Sequence, residues 1–245
     1  MRPWLRSYGL LLRWTMLRLR HALPVFLIIQ TFLAVGIVVG FAFLLPSVDP
    51  ATALHLSTGA PTLGLITIGM VMAPQLVAET KTEGTFDYNR TLPVPRTATL
   101  AADLTVWLAV AAPGLVAGLV TAVLRFDLHL HVSWLAVPAM LLVALTSTTA
   151  GYALAHALPP TICHLITQAL IFVALMFSPI NYPASRMPGW LQAVHEVLPF
   201  QHMAEVVRQT LDVPASGIAV TPFAVLAVWC AAGLAITLRV MTRRA

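Results

Sequence analysis

Charge is scarce in this chain. Only 9% of its 245 residues are Asp, Glu, Lys or Arg, while 59% are hydrophobic and the mean hydropathy is +0.86. Soluble domains carry about 25% charged residues. Nine acids and fourteen bases are too few to clothe a soluble domain of this length. The composition excludes a soluble globular enzyme and a disordered chain. Cysteine is equally sparse: Cys163 and Cys230 both fall in apolar runs, which excludes a secreted disulfide scaffold. Lysine is almost missing. Lys81 stands alone, and Val77-Ala78-Glu79-Thr80 before it contains no glycine, so the chain has no phosphate-binding P-loop. Neither an HExxH zinc motif nor a GxSxG nucleophile elbow occurs. Before the first long apolar run there is no small-x-small cleavage site, so no cleaved signal peptide is expected. No internal repeat marks an inverted-repeat carrier.

Long hydrophobic runs are plentiful. A membrane helix needs roughly 20 apolar residues, and six stretches qualify: 24–45, 58–78, 104–124, 132–155, 161–181 and 217–238. None holds a charged residue, where a central charge would cost about 2.5–3.5 kcal/mol on insertion scales. The expected fold class is therefore all-α, a single transmembrane domain over 1–245 with six transmembrane helices. With both ends in the cytoplasm, 11 Lys and Arg fall inside and 3 (Arg125, Arg186, Arg208) outside. The positive-inside rule selects that orientation. The same placement accounts for the basic balance without nucleic acid.

Three polar segments lie outside these runs. In 2–20, Arg2, Arg6, Arg13 and Arg20 share one helical face, opposite Trp4, Tyr8, Leu11, Leu12 and Leu19. That pattern predicts an amphipathic interfacial helix with its apolar face in the acyl chains. The segment 79–99 is the most polar. Glu79 and Glu83 stand one turn apart, Gly84 can end that turn, and Thr85 or Asp87 can cap a second short helix. Its mixture of Phe86 and Tyr88 with charges suits docking to another protein. The segment 182–214 places Pro188 and Pro199 ahead of helical periodicity, predicting two short external helices.

Neutral polar residues are scattered through the spans. Gln30, Thr31, Thr67, Gln75, Thr167, Gln168, Ser178 and Asn181 serve singly for interhelical hydrogen bonds. As a set they can line a path for a large amphipathic molecule. The spans hold no carboxylate; Asp103 and Asp127 are expected to flank the third. Two GxxxG patterns, Gly36–Gly40 and Gly114–Gly118, predict close helix packing. Histidines at 129, 131, 156, 164, 195 and 202 lack metal-ligand spacing, and the external His195–Glu196 pair is a weak acid/base candidate without a third partner.

The loop Glu79, Glu83-Gly84-Thr85 and Leu92-Pro93-Val94-Pro95-Arg96 resembles the E…EGT…PVxR segment of type-2 ABC transporter permeases. Phe177-Ser178-Pro179-Ile180, Met187-Pro188-Gly189-Trp190-Leu191 and Leu198-Pro199-Phe200 look like that family's fifth-span exit and external helices, with Arg208 at the family's external arginine. Phe86-Asp87-Tyr88-Asn89 departs from the usual apolar run. The resemblance implies a half-permease, not itself an enzyme, carrying no cofactor of its own. ATP and Mg would sit on a separate ATP-binding subunit, and a second permease copy or a related subunit would complete the pore. It implies coupling to the ATPase through Glu79, Lys81, Glu83, Gly84, Thr85, Phe86, Asp87, Tyr88 and Arg90. The cargo class would be drugs, antibiotics, lipids or lipid-linked glycans, exported across a bacterial plasma membrane. A channel or a structural membrane subunit is the alternative.

Overall fold

The computed structural model describes residues 2–44, 50–84, 93–126, 131–213 and 217–242. Among these residues there is helix and turn but no strand. The helices are α1 (Arg2–Leu19), α2 (Leu23–Leu44), α3 (Pro50–Thr67), α4 (Ala73–Thr82), α5 (Arg96–Phe126), α6 (Ala136–Ala157), α7 (Pro160–Phe177), α8 (Gly189–Val197), α9 (Pro199–Leu211) and α10 (Thr221–Thr242). A π turn, Ile68–Met72, joins α3 to α4 without a break. Among the described residues six helical stretches are long and apolar enough to cross a membrane: α2, the α3–α4 rod, α5, α6, α7 and α10. The protein is an all-α, multi-pass membrane protein. An even number of such stretches among the described residues puts the start of α2 and the end of α10 on one face, called here the N side.

The helix ends differ from the apolar runs where caps, not hydropathy, decide them. Counted by apolar run, the helix of the second run (the α3–α4 rod) starts at Pro50 instead of 58 and continues through 79–82. Pro is favoured in a first helical turn, and the polar residues His55 and Ser57 do not interrupt a helix. The third starts at Arg96, directly after Pro95, instead of 104. Asp103 therefore lies inside the helix α5, toward its Arg96 end, and the 31 residues of α5 are more than the roughly 30 Å hydrocarbon core requires. The fifth stops at Phe177. Ser178 precedes Pro179 and is extended (φ −99°, ψ 141°), since the proline ring disfavours helix at the residue before it. The sixth starts at Thr221, ahead of Pro222, instead of 217. The second short helix expected after Thr85 or Asp87 falls outside the described residues.

The α3–α4 rod is the centre of the bundle. In its span 78% of the most apolar window is buried, against 17% for α2, α7 and α10. It packs on α5 and α2 on one side and on α6, α7 and α9 on the others, with α10 against α6. Pro74 lacks an N–H for the i→i−4 ladder, and just before it the ladder shifts: the Ala73 N–H reaches the Ile68 carbonyl. The π turn faces α6 at very close range. A Cβ on Gly151 would overlap the Gly69 carbonyl, and one on Gly69 would overlap Ser147. Small residues are what permit such backbone approach. The Gly114–Gly118 pattern has the same use, receiving Gln30 and Ala34 of α2, whereas Gly36 and Gly40 meet nothing within 4 Å.

Helix α1 packs on α5. Trp4 Nε1 donates to Thr97 Oγ1 (3.0 Å), the Tyr8 and Thr105 hydroxyls pair at 2.9 Å, and Thr15 Oγ1 donates to Asp103 Oδ1 (3.2 Å). The face read from sequence as turned to acyl chains is thus turned onto protein. Leu5, Leu10, Trp14, Met16 and Leu17 are the exposed apolar residues instead. Arg6 and Arg13 remain exposed.

Gly151→Ala should therefore lower the detergent-solubilised protein's stability by about 1–3 kcal/mol, the usual cost of overpacking. Gly36→Ala should leave the melting temperature unchanged.

Candidate functional site

Helix α4 ends with exposed acids. Glu79 and Glu83 are both exposed, and the Glu83 N–H still bonds the Glu79 carbonyl at 3.0 Å. Gly84 then adopts φ +75°, the left-handed conformation that commonly ends a helix and costs side-chain-bearing residues roughly 1–2 kcal/mol. Lys81 points the other way. Its ammonium donates to the carbonyls of Ala155, His156 and Leu158, the last at 3.0 Å. These carbonyls are orphaned at the C-terminus of α6, where a cation is favoured. The residue expected to face an ATPase therefore clamps α4 to α6 and fills the Leu158-Pro159-Pro160 turn. Thr85, Phe86, Asp87, Tyr88 and Arg90 lie outside the described residues.

The polar residues of the spans separate into distinct places. Gln75 Nε2 donates to Thr167 Oγ1 at 3.1 Å, joining α4 to α7. Gln75 also lines a groove of about 320 Å³ with Phe26, Met72, Glu79 and His164, between α2, α4 and α7. Gln168 is exposed on α7. Thr31 and Thr67 donate to carbonyls of their own helices, Leu27 and Leu63. Gln30 is 1% exposed, wedged between Gly64 and Gly114, and neither atom of its amide has a hydrogen-bond partner among the described residues. Ser178 and Asn181 lie at the opposite face, buried in the turn after α7. Only Gln75 and Thr167 meet.

That opposite face is closed by α8 and α9. Arg208 of α9 donates from Nε to Thr58 Oγ1 (3.3 Å) and from Nη2 to the Ile180 carbonyl (3.1 Å). It links α9, α3 and the turn after α7. Burial lowers its pKa to about 10, partly offset by Glu205, so the guanidinium stays charged at neutral pH. The His195–Glu196 pair does not form an acid/base site. His195 is buried and its Nε2 donates to the Phe177 carbonyl at 2.9 Å, while Glu196 is exposed and its carbonyl accepts from His202 Nε2. Among the described residues no group of three His, Cys, Asp or Glu is placed to hold a metal ion. The polar network around Asp103 was not legible in the sequence, because its members Thr15 and Tyr152 come from α1 and α6, far away in the chain.

Arg208→Gln should destabilise the protein by about 1–3 kcal/mol, the cost of leaving a buried acceptor unpaired, measured by melting in detergent. Desolvation depresses the His195 pKa. The unfolded chain then binds the proton more readily, so His195's contribution to stability is present above the ordinary histidine pKa and is lost as pH falls below about 6.5. His195→Gln should flatten that part of the stability–pH curve.

A search of curated proteins finds no match to this chain. The family model described as "ABC-2 type transporter" matches residues 8–212, a stretch holding α2 to α9 and most of α1. With six helices able to span a membrane, the chain belongs to the ABC-2 type transporter family, whose members are the membrane permease components of ABC transporters.

Proposed function

We propose that this protein is the permease half of an ATP-driven exporter that moves a hydrophobic or amphipathic molecule out of a bacterial cytoplasm. A separate subunit supplies ATP and Mg, and a second permease copy or a related subunit completes the path. The N side is cytoplasmic, in keeping with the 11:3 split of basic residues.

The observation that carries this reading is the end of α4. Two exposed acids stand on the last turn of the most buried helix in the bundle, on the N side, followed by a left-handed glycine. An ATPase docked on Glu79, Glu83, Gly84 and the segment up to Arg90 pushes on a rod clamped to α6 by Lys81. The rod runs unbroken to Pro50 and passes Thr58, where Arg208 holds it to the outer helices. Closure of the ATPase then displaces the rod and opens the outer side. The groove beside Gln75 lies between α2 and α7, whose apolar faces, including Ile28, Phe32, Phe172 and Met176, are exposed. A second copy seated there encloses the groove as a path for cargo.

Affinity purification from native membranes, with mass identification of bound chains, tests the assignment. A nucleotide-binding subunit and a second permease should co-purify. Glu83→Lys should lower the co-purified ATPase activity at least ~10-fold, since like-charge juxtaposition at an interface costs several kcal/mol. Gly84→Pro should do the same because proline cannot adopt φ +75°. Membrane insertion should be unchanged in both. Wild-type ATPase recovery with both variants would refute the proposal.

A further inference from the structure

A second cavity, of about 260 Å³, lies on the N side between α1, α4, α5, α6 and α10. It lies across Leu76, which borders both, from the groove beside Gln75. Three cations border it (Arg18, Lys81 and Arg96) against one carboxylate, Asp103. Its other walls mix neutral polar groups, such as Thr99 and Tyr152, with apolar ones, among them Leu19, Leu76, Leu100 and Val240.

Most polar groups here are already engaged. Asp103 accepts from Thr15, Trp107 Nε1 donates to the Tyr152 hydroxyl at 3.0 Å, His156 Nδ1 contacts the Tyr152 carbonyl, and the Lys81 ammonium holds the end of α6. Two are differently placed. Thr99 Oγ1 is buried and has no hydrogen-bond partner among the described residues. Arg18 is exposed and has Asp103 as its charge neighbour. A buried hydroxyl without a partner costs about 1–3 kcal/mol, so a group that accepts from Thr99 and pairs with Arg18 is favoured on both counts.

We propose that this cavity binds the phosphate headgroup of an anionic amphiphile drawn from the N-side leaflet. The cations supply the field, Arg18 and Thr99 the direct hydrogen bonds, and the apolar walls accept the start of the acyl or prenyl tail. Three physical points select this class. The cavity lies where the spans end, at headgroup depth: α5 has 31 residues, about 46 Å at 1.5 Å per residue, against a hydrocarbon core of about 30 Å. Basic pockets between membrane helices at that level suit anionic headgroups. The volume falls below the roughly 300–1,000 Å³ of pockets that enclose a drug-sized ligand, so a headgroup fits while its tail stays in the membrane. The inference does not depend on the transport reading, since it concerns only residues of this chain.

The full-length protein in neutral detergent is titrated with dioctanoyl phosphatidylglycerol, dioctanoyl phosphatidylcholine and inorganic phosphate, and bound ligand is counted by native mass spectrometry. Phosphatidylglycerol should bind best. Arg18→Gln should weaken it about 10-fold, the effect of losing one charge-assisted contact. Thr99→Val should weaken it several-fold while leaving the lipid-free melting temperature equal or higher, because the substitution removes an unpaired hydroxyl. Arg13→Gln, an exposed cation of the same helix, should change nothing. Equal losses for Arg13→Gln and Arg18→Gln, equal binding of phosphatidylcholine, or inorganic phosphate binding as tightly as the lipid would each overturn the proposal.

Discussion

In a membrane every polar group needs a partner inside the protein, because lipid offers none. Much of this bundle follows from how that requirement is met. On α6 the buried hydroxyls of Thr146, Ser147, Thr148 and Thr149 each donate to the carbonyl four residues back. Bonded to their own helix, they stay compact, and the helix can lie against the π turn and α10 with glycines at the contact points. Ser147 also reaches across to the Leu65 carbonyl of α3 at 3.2 Å, pairing polar groups just where the rod's own ladder is about to be interrupted. Satisfaction and close approach are thus produced by the same small residues.

Where the requirement is not met among the described residues, the location is informative. The amide of Gln30, the hydroxyls of Ser178, Thr99 and Thr237, the Asn181 carbonyl oxygen and the Nδ1 atoms of His195 and His202 are buried and without a hydrogen-bond partner among the described residues. Gln30 sits between two glycines at the packing of α2 on α3 and α5, Ser178 and Asn181 sit in the turn that Arg208 holds, and Thr99 sits at the N-side cavity. Natural proteins tolerate such groups where a water, an ion, a ligand or a strained arrangement accounts for them.

The central rod connects these places mechanically. Its N-side end is fixed by a single cation on three carbonyls and its opposite end by a single guanidinium on a hydroxyl and a carbonyl. Between them the rod is buried and close-packed, so it transmits displacement with little compression. Pro61 removes one ladder bond within α3 and the π turn shifts the ladder ahead of Pro74, and π turns of this kind recur at functional sites. Clamps of few atoms at the ends of a stiff element allow it to be re-seated without disassembling the core.

Much of the architecture was legible in the amino-acid order. Uncharged runs of about 20 residues can do little else than span, and the prolines at 188 and 199 announced α8 and α9 through their fixed backbone angle. Hydropathy could not place the ends of α5, because Asp103 looks like an edge until α1 and α6 are seen to enclose it. It could not orient Lys81, whose partners are 74 to 77 residues away in the chain. Nor could it tell that Gly114–Gly118 is filled by α2 whereas Gly36–Gly40 is left open. Composition and local sterics determine that a segment is helical and apolar, since those depend on neighbours within a turn or two. Which face meets lipid, which meets protein and which buried polar group lacks a partner depend on contacts between distant segments, and those exist only once the bundle has assembled.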